Sequence, residues 1–195
     1  MSISCSTASS AIAGFAGRCG GLARRFVGEC RGISAVEFAT LVPVMLTLFF
    51  GAVETTQGIA VNRKVKLTAH TLADLATQYT DITDADMSNI LNAGSAIIVP
   101  YSAADLQETV SGISINAQGQ GSVVWSDTLN GTALTVGQSV TVPAALAVPN
   151  TFLVLGQAQY SYNPTYGHVI TGTLTLSDQI FMRPRDSASI ARTAS

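Results

Sequence analysis

The longest hydrophobic stretch of the sequence lies near its N-terminus. Phe38–Val53 is a run of 16 residues without a charged side chain, and only Glu37 separates it from the apolar Ile33–Val36. About 20 residues of helix cross the hydrocarbon core of a bilayer. The pattern therefore predicts a retained transmembrane helix, with its membrane part at 33–55.

A cleaved secretory signal is the alternative interpretation, because a basic stretch precedes the apolar one. The apolar run is long for a signal, and no small-residue cleavage site follows it cleanly. Four arginines precede the run and three basic residues follow it, at 63–66. This narrow bias predicts that the N-terminus is cytoplasmic and that the rest of the chain is exported.

Beyond the apolar run the pattern stays helical to about residue 79. Apolar residues recur there at i, i+3 and i+4 spacing, which is typical of a helix that packs on a core. The predicted buried face consists of Leu67, Ala69, Leu72, Ala73, Leu75 and Ala76. A second helix is predicted at 84–98, where Thr83 and Asp86 are spaced as a capping box.

From Thr109 onward the sequence is typical of β-strands. Five segments are rich in β-branched and aromatic residues, and Gly, Asn or Pro separates them. They read VSGISIN, SVVWSD, SVTVP, TFLVLGQAQYSYN and HVITGTLTLSDQIFM, and the last two are predicted to form a hairpin. The predicted fold class is α+β, with a long N-terminal transmembrane helix packed on a small antiparallel β-sheet.

Four parts are predicted along the chain. They are a basic cytoplasmic leader at 1–32, the transmembrane and amphipathic helix at 33–79, an α+β domain at 80–186 and a flexible tail at 187–195. Exposed chain ends with small and polar residues are often poorly ordered, which is the reason for the last assignment.

Charge and cysteine positions exclude two classes of protein. From Leu67 to Met182 there are eight acidic residues and no lysine or arginine, whereas a nucleic-acid-binding surface must be basic. The three cysteines, Cys5, Cys19 and Cys30, all precede residue 32. The remainder of the chain can therefore hold neither a disulfide framework nor a cysteine-based zinc site.

The sequence contains no recognisable catalytic or cofactor-binding motif. G-x-S-x-G, H-E-x-x-H, the P-loop and the dinucleotide fingerprint are all missing. His70 and His168 have no neighbouring cluster of acidic residues or cysteines that would complete a metal site or a triad. Helix capping and solvation explain the acidic residues at 81–86 better than calcium binding, and Trp125 is predicted to be a packing residue. We therefore expect no enzymatic activity, cofactor, metal or small-molecule substrate.

Glu37 is the residue that the helical pattern leaves unexplained. A carboxylate at this position either lies in the cytoplasmic interface or has a partner within the membrane. The residue by itself favours neither interpretation.

The surrounding string offers an answer. RGISAVEFATLVPVMLTLFFGAVE, residues 31–54, resembles the N-terminal segment of TadE-like proteins, the pseudopilins or minor pilins of the Tad (Flp-type, tight adherence) pilus. The shared pattern is a glycine, four residues, a glutamate and an aromatic residue, then an apolar run with proline and a closing G-x-x-E. Gly32, Glu37, Phe38, Pro43 and Glu54 occupy these positions. VVWS, YSYNP and MRPR resemble later family motifs, whereas the long leader with its cysteines departs from the pattern.

The resemblance implies a structural function and a pilin-like fold. A prepilin peptidase would cleave between Gly32 and Ile33, and Glu37 with Phe38 would serve in recognition and assembly. The freed amine of Ile33 would be cationic at neutral pH, and Glu37, one turn away, could meet the amine of a neighbouring subunit.

The resemblance also implies partners and a location. The partners are the membrane, the prepilin peptidase, other Tad pseudopilins and the pilus assembly platform. The location is the bacterial inner membrane, with the C-terminal domain in the periplasm, and the sequence does not decide whether the protein enters the pilus. The alternative is a membrane-tethered periplasmic binding or adhesion module that is not processed, in which Glu37 would be dispensable.

Overall fold

A computed structural model of the protein describes residues 31–164 and 172–193, with side chains from residue 35 onward. Its contacts divide the chain after Phe49 into two units, which are considered separately below. The predicted leader with its three cysteines, His168 and the beginning of the last predicted strand lie outside the described residues.

In the described part of the chain the two helices precede all five strands of the main sheet, as the hydrophobic pattern predicted, and only the two-residue strand Asp81–Ile82 lies between the helices. The elements are α1 (Arg31–Ala76), β1 (Asp81–Ile82), α2 (Asp84–Ile97), a 3-10 turn (Ala103–Asp105), β2 (Leu106–Ile115), β3 (Gly121–Leu129), β4 (Ser139–Val140), β5 (Phe152–Tyr162), β6 (Leu174–Met182) and β7 (Ala191–Arg192). The predicted α+β class is confirmed.

The main sheet has five strands in the order β4-β3-β2-β5-β6, and every neighbouring pair is antiparallel. The pairing of β5 with β6 confirms the hairpin partners predicted from the sequence. A shift of register in β2 falls between Gly112 and Ile113, where Trp125 of β3 lies opposite Gly112. A Cβ on Gly112 would lie 2.5 Å from the Trp125 indole, so the glycine makes room for the tryptophan. Trp125 is buried, as predicted.

The later part of α1 packs on the middle of β5. A Cβ on Gly156 would lie 2.5 Å from the carbonyl oxygen of Ala69 and 3.0 Å from Ala73, so this glycine allows close packing of the helix on the strand. The buried stripe of the helix consists of Val61, Val65, Ala69, Leu72, Ala73 and Ala76.

The prediction that Leu67 belongs to the buried face of the helix was wrong. Leu67 is 54% exposed, whereas Val61 and Val65 are fully buried. Two residues rotate a helix by about 200°, so Leu67 points away from the stripe that contains Val65. The correct stripe begins earlier in the helix than the prediction placed it.

The second helix begins at the predicted capping box. Asp86 N donates to Thr83 Oγ1 at 3.3 Å, and Thr83 N donates to the Asp86 carboxylate at 3.2 Å. The pKa of Asp86 is lowered, first because the Thr83 hydroxyl donates to its carboxylate at 2.6 Å and then because the Thr83 N–H donates to it. At the other end of α2, Lys64 Nζ donates to the carbonyl oxygens of Ile97 and Val99 at 2.8 and 2.6 Å. A cation at this end complements the helix dipole and joins α1 to α2.

The other face of the sheet is covered over part of its length by the connection between β3 and β5. Leu134, Val140, Val142 and Leu146 pack there against a buried cluster of Ile113, Ile115, Val123, Leu153 and Leu155. The chain turns after β3 at Asn130, whose φ is 56°, and β4 begins only at Ser139. The turn is therefore wider than a two-residue hairpin.

The structure also corrects the prediction of a flexible tail at 187–195. Ala191–Arg192 form β7 and pair in parallel with β1, and Ile190 is 2% exposed. The tail is held because its backbone pairs with β1 and because its side chains have specific partners in the folded unit, which a composition-based assignment cannot detect.

Candidate functional site

The first part of α1 is apolar on every side. Eight of its large hydrophobic side chains between Val36 and Phe49 are 49–69% exposed, and only Val42 is of intermediate exposure: the eight are Val36, Phe38, Leu41, Val44, Met45, Leu46, Leu48 and Phe49. The helix from Ala35 has an 18-residue window of mean hydropathy 2.0, with none of that window buried. A helix that is hydrophobic all round needs apolar surroundings, and by length and composition this one can cross a bilayer. A single-pass membrane protein fits this feature.

The hydroxyl groups of this region are satisfied by the helix itself. Thr47 Oγ1 donates to the carbonyl oxygen of Pro43, Thr55 Oγ1 to that of Gly51 and Thr56 Oγ1 to that of Ala52, each at 2.8 Å. Thr40 Oγ1 bonds in the same way to the carbonyl oxygens of Val36 and Glu37, at 2.9 and 3.0 Å. Because hydrocarbon offers no hydrogen-bond partners, internal satisfaction is what a lipid-facing threonine requires.

The predicted processing residues lie at the start of this helix. Gly32 and Ile33 fall in its first turn, and Glu37 lies four residues after Ile33, on the same face. Glu37 is exposed, and Phe38 is 68% exposed. The structure thus presents Glu37 and Phe38 outward from α1.

Pro43 is also part of the outward-facing segment. It lies inside α1, which is assigned as helical from Arg31 to Ala76. Proline has no N–H group, so the carbonyl oxygen of residue 39 has no donor four residues later.

Glu54, which closes the resemblance, lies in the protein interior. It is fully buried in the unit that begins at Phe50, although it directly follows the apolar run. Burial, then the neighbouring Tyr101 and Glu54, raise the pKa of Tyr162. Tyr162 Oη also donates to Gln57 Oε1 at 3.4 Å. Glu54 is therefore part of the protein interior, beside the end of β5.

A second buried carboxyl group, Glu108 in β2, was missed in the sequence. It is fully buried, and burial raises its pKa to about 7, although Ser95 Oγ donates to Oε2 at 3.1 Å. Its Oε1 has no hydrogen-bond partner among the described residues. Period-two alternation would have found it, because Glu108 lies between Leu106 and Val110 on the apolar face of the strand.

The acidic residues at 81–86 have structural partners. Asp81 accepts from Thr193 Oγ1 at 2.8 Å, and Asp84 pairs with Arg192 at 2.5 Å. Within residues 31–164 and 172–193, no group of three or more His, Cys, Asp or Glu side chains is placed to hold a metal ion. His70 is exposed on α1.

Comparison with known proteins supports the predicted resemblance. Residues 32–74 match the family model described as TadE-like protein, which confirms the resemblance for this segment of the 195-residue chain. No curated protein and no solved structure matches the chain. The match begins at Gly32 and contains both the apolar segment and most of the part of α1 that packs on the sheet.

Proposed function

Since the chain carries a TadE-like segment at its first helix, we propose that the protein is a minor pilin of a Tad-type pilus and is processed after Gly32. A pilin-like role is what the family match suggests. One observation supports specific residues for this role. The matched segment starts at Gly32 and coincides with an exposed apolar helix on which Glu37 is also exposed. The family is structural, so the proposed function is a contribution to assembly.

Cleavage between Gly32 and Ile33 is the first step of this proposal. A glycine in a helix is less favourable than alanine by about 1 kcal/mol, so the first turn of α1 opens easily at this position. The missing Cβ also lets another backbone approach closely. Both properties suit a residue that must enter the cleft of a membrane-embedded peptidase.

Glu37 would then control how subunits pack. An unpaired carboxylate in an apolar environment is strongly disfavoured, and an opposite charge close by relieves that penalty. The new amine of Ile33 supplies such a charge, because α-amino groups titrate near pH 8. A neighbouring subunit would thus be stable only in the register that brings its amine to Glu37.

Location and orientation follow from the same proposal. The leader would lie in the cytoplasm, the segment from Ile33 would cross the inner membrane, and the folded unit would lie in the periplasm. The eight acidic residues without a lysine or arginine between Leu67 and Met182 are consistent with export of that unit under the rule that basic residues stay inside.

The test is complementation of a strain that lacks the chain and has lost its surface pili. The wild-type chain and Leu67→Ala, an exposed position later in the same helix, should restore the pili. Gly32→Ala and Glu37→Gln should not, at equal membrane levels of protein. Pili restored by both of these variants would contradict the proposal and favour an unprocessed, membrane-tethered module.

A further inference from the structure

The C-terminal segment occupies a slot made by residues far from it in sequence. Ile190 is 2% exposed and belongs to the same buried cluster as Trp125. The indole Nε1 of Trp125 donates to the carbonyl oxygen of Ile190 at 2.9 Å. The slot therefore offers a pocket for a branched aliphatic side chain and a donor for the backbone beside it.

The backbone of the segment adds a strand to β1. Ala191 N donates to the carbonyl oxygen of Thr80, and Thr193 N donates to that of Ile82, both at 3.1 Å. Asp81 lies opposite Ala191 in the parallel register. Such strand addition gives affinity through the main chain, while pockets for side chains give specificity.

Arg192 adds specificity to the binding of the segment, because it pairs with acidic residues of the slot. Its Nε and Nη2 donate to the two carboxylate oxygens of Asp127 at 2.9 and 3.1 Å, and Nη2 also donates to Asp84 at 2.5 Å. The Arg192 side chain is only 15% exposed. Two-point pairing of arginine with a carboxylate is stronger and more directional than a single ion pair. The slot thus recognises an aliphatic residue followed two positions later by arginine.

The connection to this segment is short and has few contacts of its own. Arg185 is fixed to the end of α1, because its N–H donates to the carbonyl oxygen of Thr77 at 3.1 Å and its side chain pairs with Asp74. Between Arg185 and Ile190 the chain reads Asp-Ser-Ala-Ser, and three of these four residues are exposed. An extended connection of this length spans about 17 Å.

We propose that the slot also receives the C-terminal strand of a second copy of this chain, so that neighbouring copies exchange strands. Every contact of Ile190, Ala191 and Arg192 described above would form equally well between two chains, because residues 80–84 and 125–127 make the slot. Exchange of an identical element between copies is a low-cost route to a dimer, because the contacts are those that each copy already makes. The short connection requires that the two folded units adjoin. This inference does not depend on the pilus role.

Engineered cysteines in separate copies test the exchange. One full-length chain carries Asp81→Cys and the other carries Ala191→Cys, both with the three leader cysteines replaced by serine, and they are produced together in the membrane and mildly oxidised. The expected result is a covalent heterodimer on a non-reducing gel. Arg192→Glu in the chain that carries Ala191→Cys should remove it, whereas Thr175→Cys in place of Asp81→Cys should not form one.

A chain that carries both engineered cysteines is the reference for the mixed chains. Asp81→Cys with Ala191→Cys should give an intramolecular disulfide as well as covalent dimers. If this double variant gives only the intramolecular disulfide and the mixed chains give no heterodimer, the segment stays with its own chain and the proposal is overturned. If the double variant gives no disulfide of either kind, the slot itself is overturned.

Discussion

The two parts of α1 have similar apolar side chains but differ in what covers them. Between Val36 and Phe49, eight large hydrophobic residues are about half exposed or more, whereas Val61, Val65 and Leu72 are completely buried. The second part is covered by β-strands and α2, with small residues at the closest approach. The first part has no such cover among the described residues, which is why lipid is its natural environment.

The polar groups differ in the same way. In the first part, threonine hydroxyls donate to carbonyl oxygens of their own helix. In the second part, Lys64 reaches carbonyl oxygens of another element, at the end of α2. Hydropathy along the chain shows neither distinction, so the difference becomes visible only when the packing of the folded unit is known. The following substitutions use matched residues from the two parts.

The largest expected effect is the loss of a core side chain. Leu72→Ala should lower the free energy of unfolding by about 2–5 kcal/mol, because it leaves a cavity in the cluster that contains Trp125. Leu46→Ala, in the first part, should leave that free energy unchanged. Denaturant titration in detergent, followed by the fluorescence of the single tryptophan, measures both. Equal losses from the two variants would contradict the distinction.

Insertion of a charge should instead affect the first part of α1 and leave the second part unchanged. Leu46→Arg is expected to weaken membrane insertion by about 2.5–3.5 kcal/mol, the typical penalty for arginine at a helix centre. Leu67→Arg is the control, since Leu67 is exposed to a similar degree, 54% against 49%, on the same helix. Membrane fractionation should show a soluble or degraded product for the first variant only. If Leu46→Arg were fully retained in the membrane, the bilayer would not surround this part of α1.

Close packing of α1 on the sheet can be tested at glycines. Gly156→Ala should destabilise the folded unit by about 1–3 kcal/mol, because the new methyl group would meet the backbone of Ala69 at 2.5 Å. Gly58→Ala should instead be neutral or stabilising, since its nearest neighbour would be Tyr162 at 4.0 Å and alanine favours a helix. The same fluorescence titration compares them. A neutral Gly156→Ala would show that α1 can shift away from β5.

The last prediction is a dependence of stability on pH, measured as a slope per pH unit. The folded-state pKa of Glu108 is raised to about 7 from its ordinary 4.5, so the folded chain holds a proton that the unfolded chain loses between these values. Stability should therefore fall as the pH rises from about 4.5 to 7, by at most about 1.4 kcal/mol per pH unit from this group. Glu108→Gln should flatten that slope. Thermal melts at several pH values measure the slope for both proteins. An unchanged slope in Glu108→Gln would show that Glu108 is not the group responsible.

Local patterns predicted local features well. The apolar run, the Thr83 capping box and the pairing of β5 with β6 depend on neighbouring residues or on adjacent strands, and all were found. The docking of Ile190 and Arg192 depends on residues that lie 65 or more positions away, so the tail appeared flexible. The burial of Glu54 and Glu108 was not predicted, because helix rotation and strand alternation, not charge, decide which way a side chain points.

The proposed site was predictable because it is a short contiguous motif. Gly32, Glu37 and Phe38 can be identified without any knowledge of packing, and the family match over 32–74 covers the same residues. Their action in assembly depends on a peptidase and on neighbouring subunits, which a single chain does not contain.

The most direct test of processing is the intact mass and N-terminal sequence of the membrane-bound protein, for the wild type and for Gly32→Ala. The proposal predicts a mature chain that begins at Ile33 in the wild type and an unprocessed chain in the variant. An uncut N-terminus in both proteins would contradict processing and leave a tethered module. A cut well beyond residue 50 would show that the apolar segment is a signal peptide.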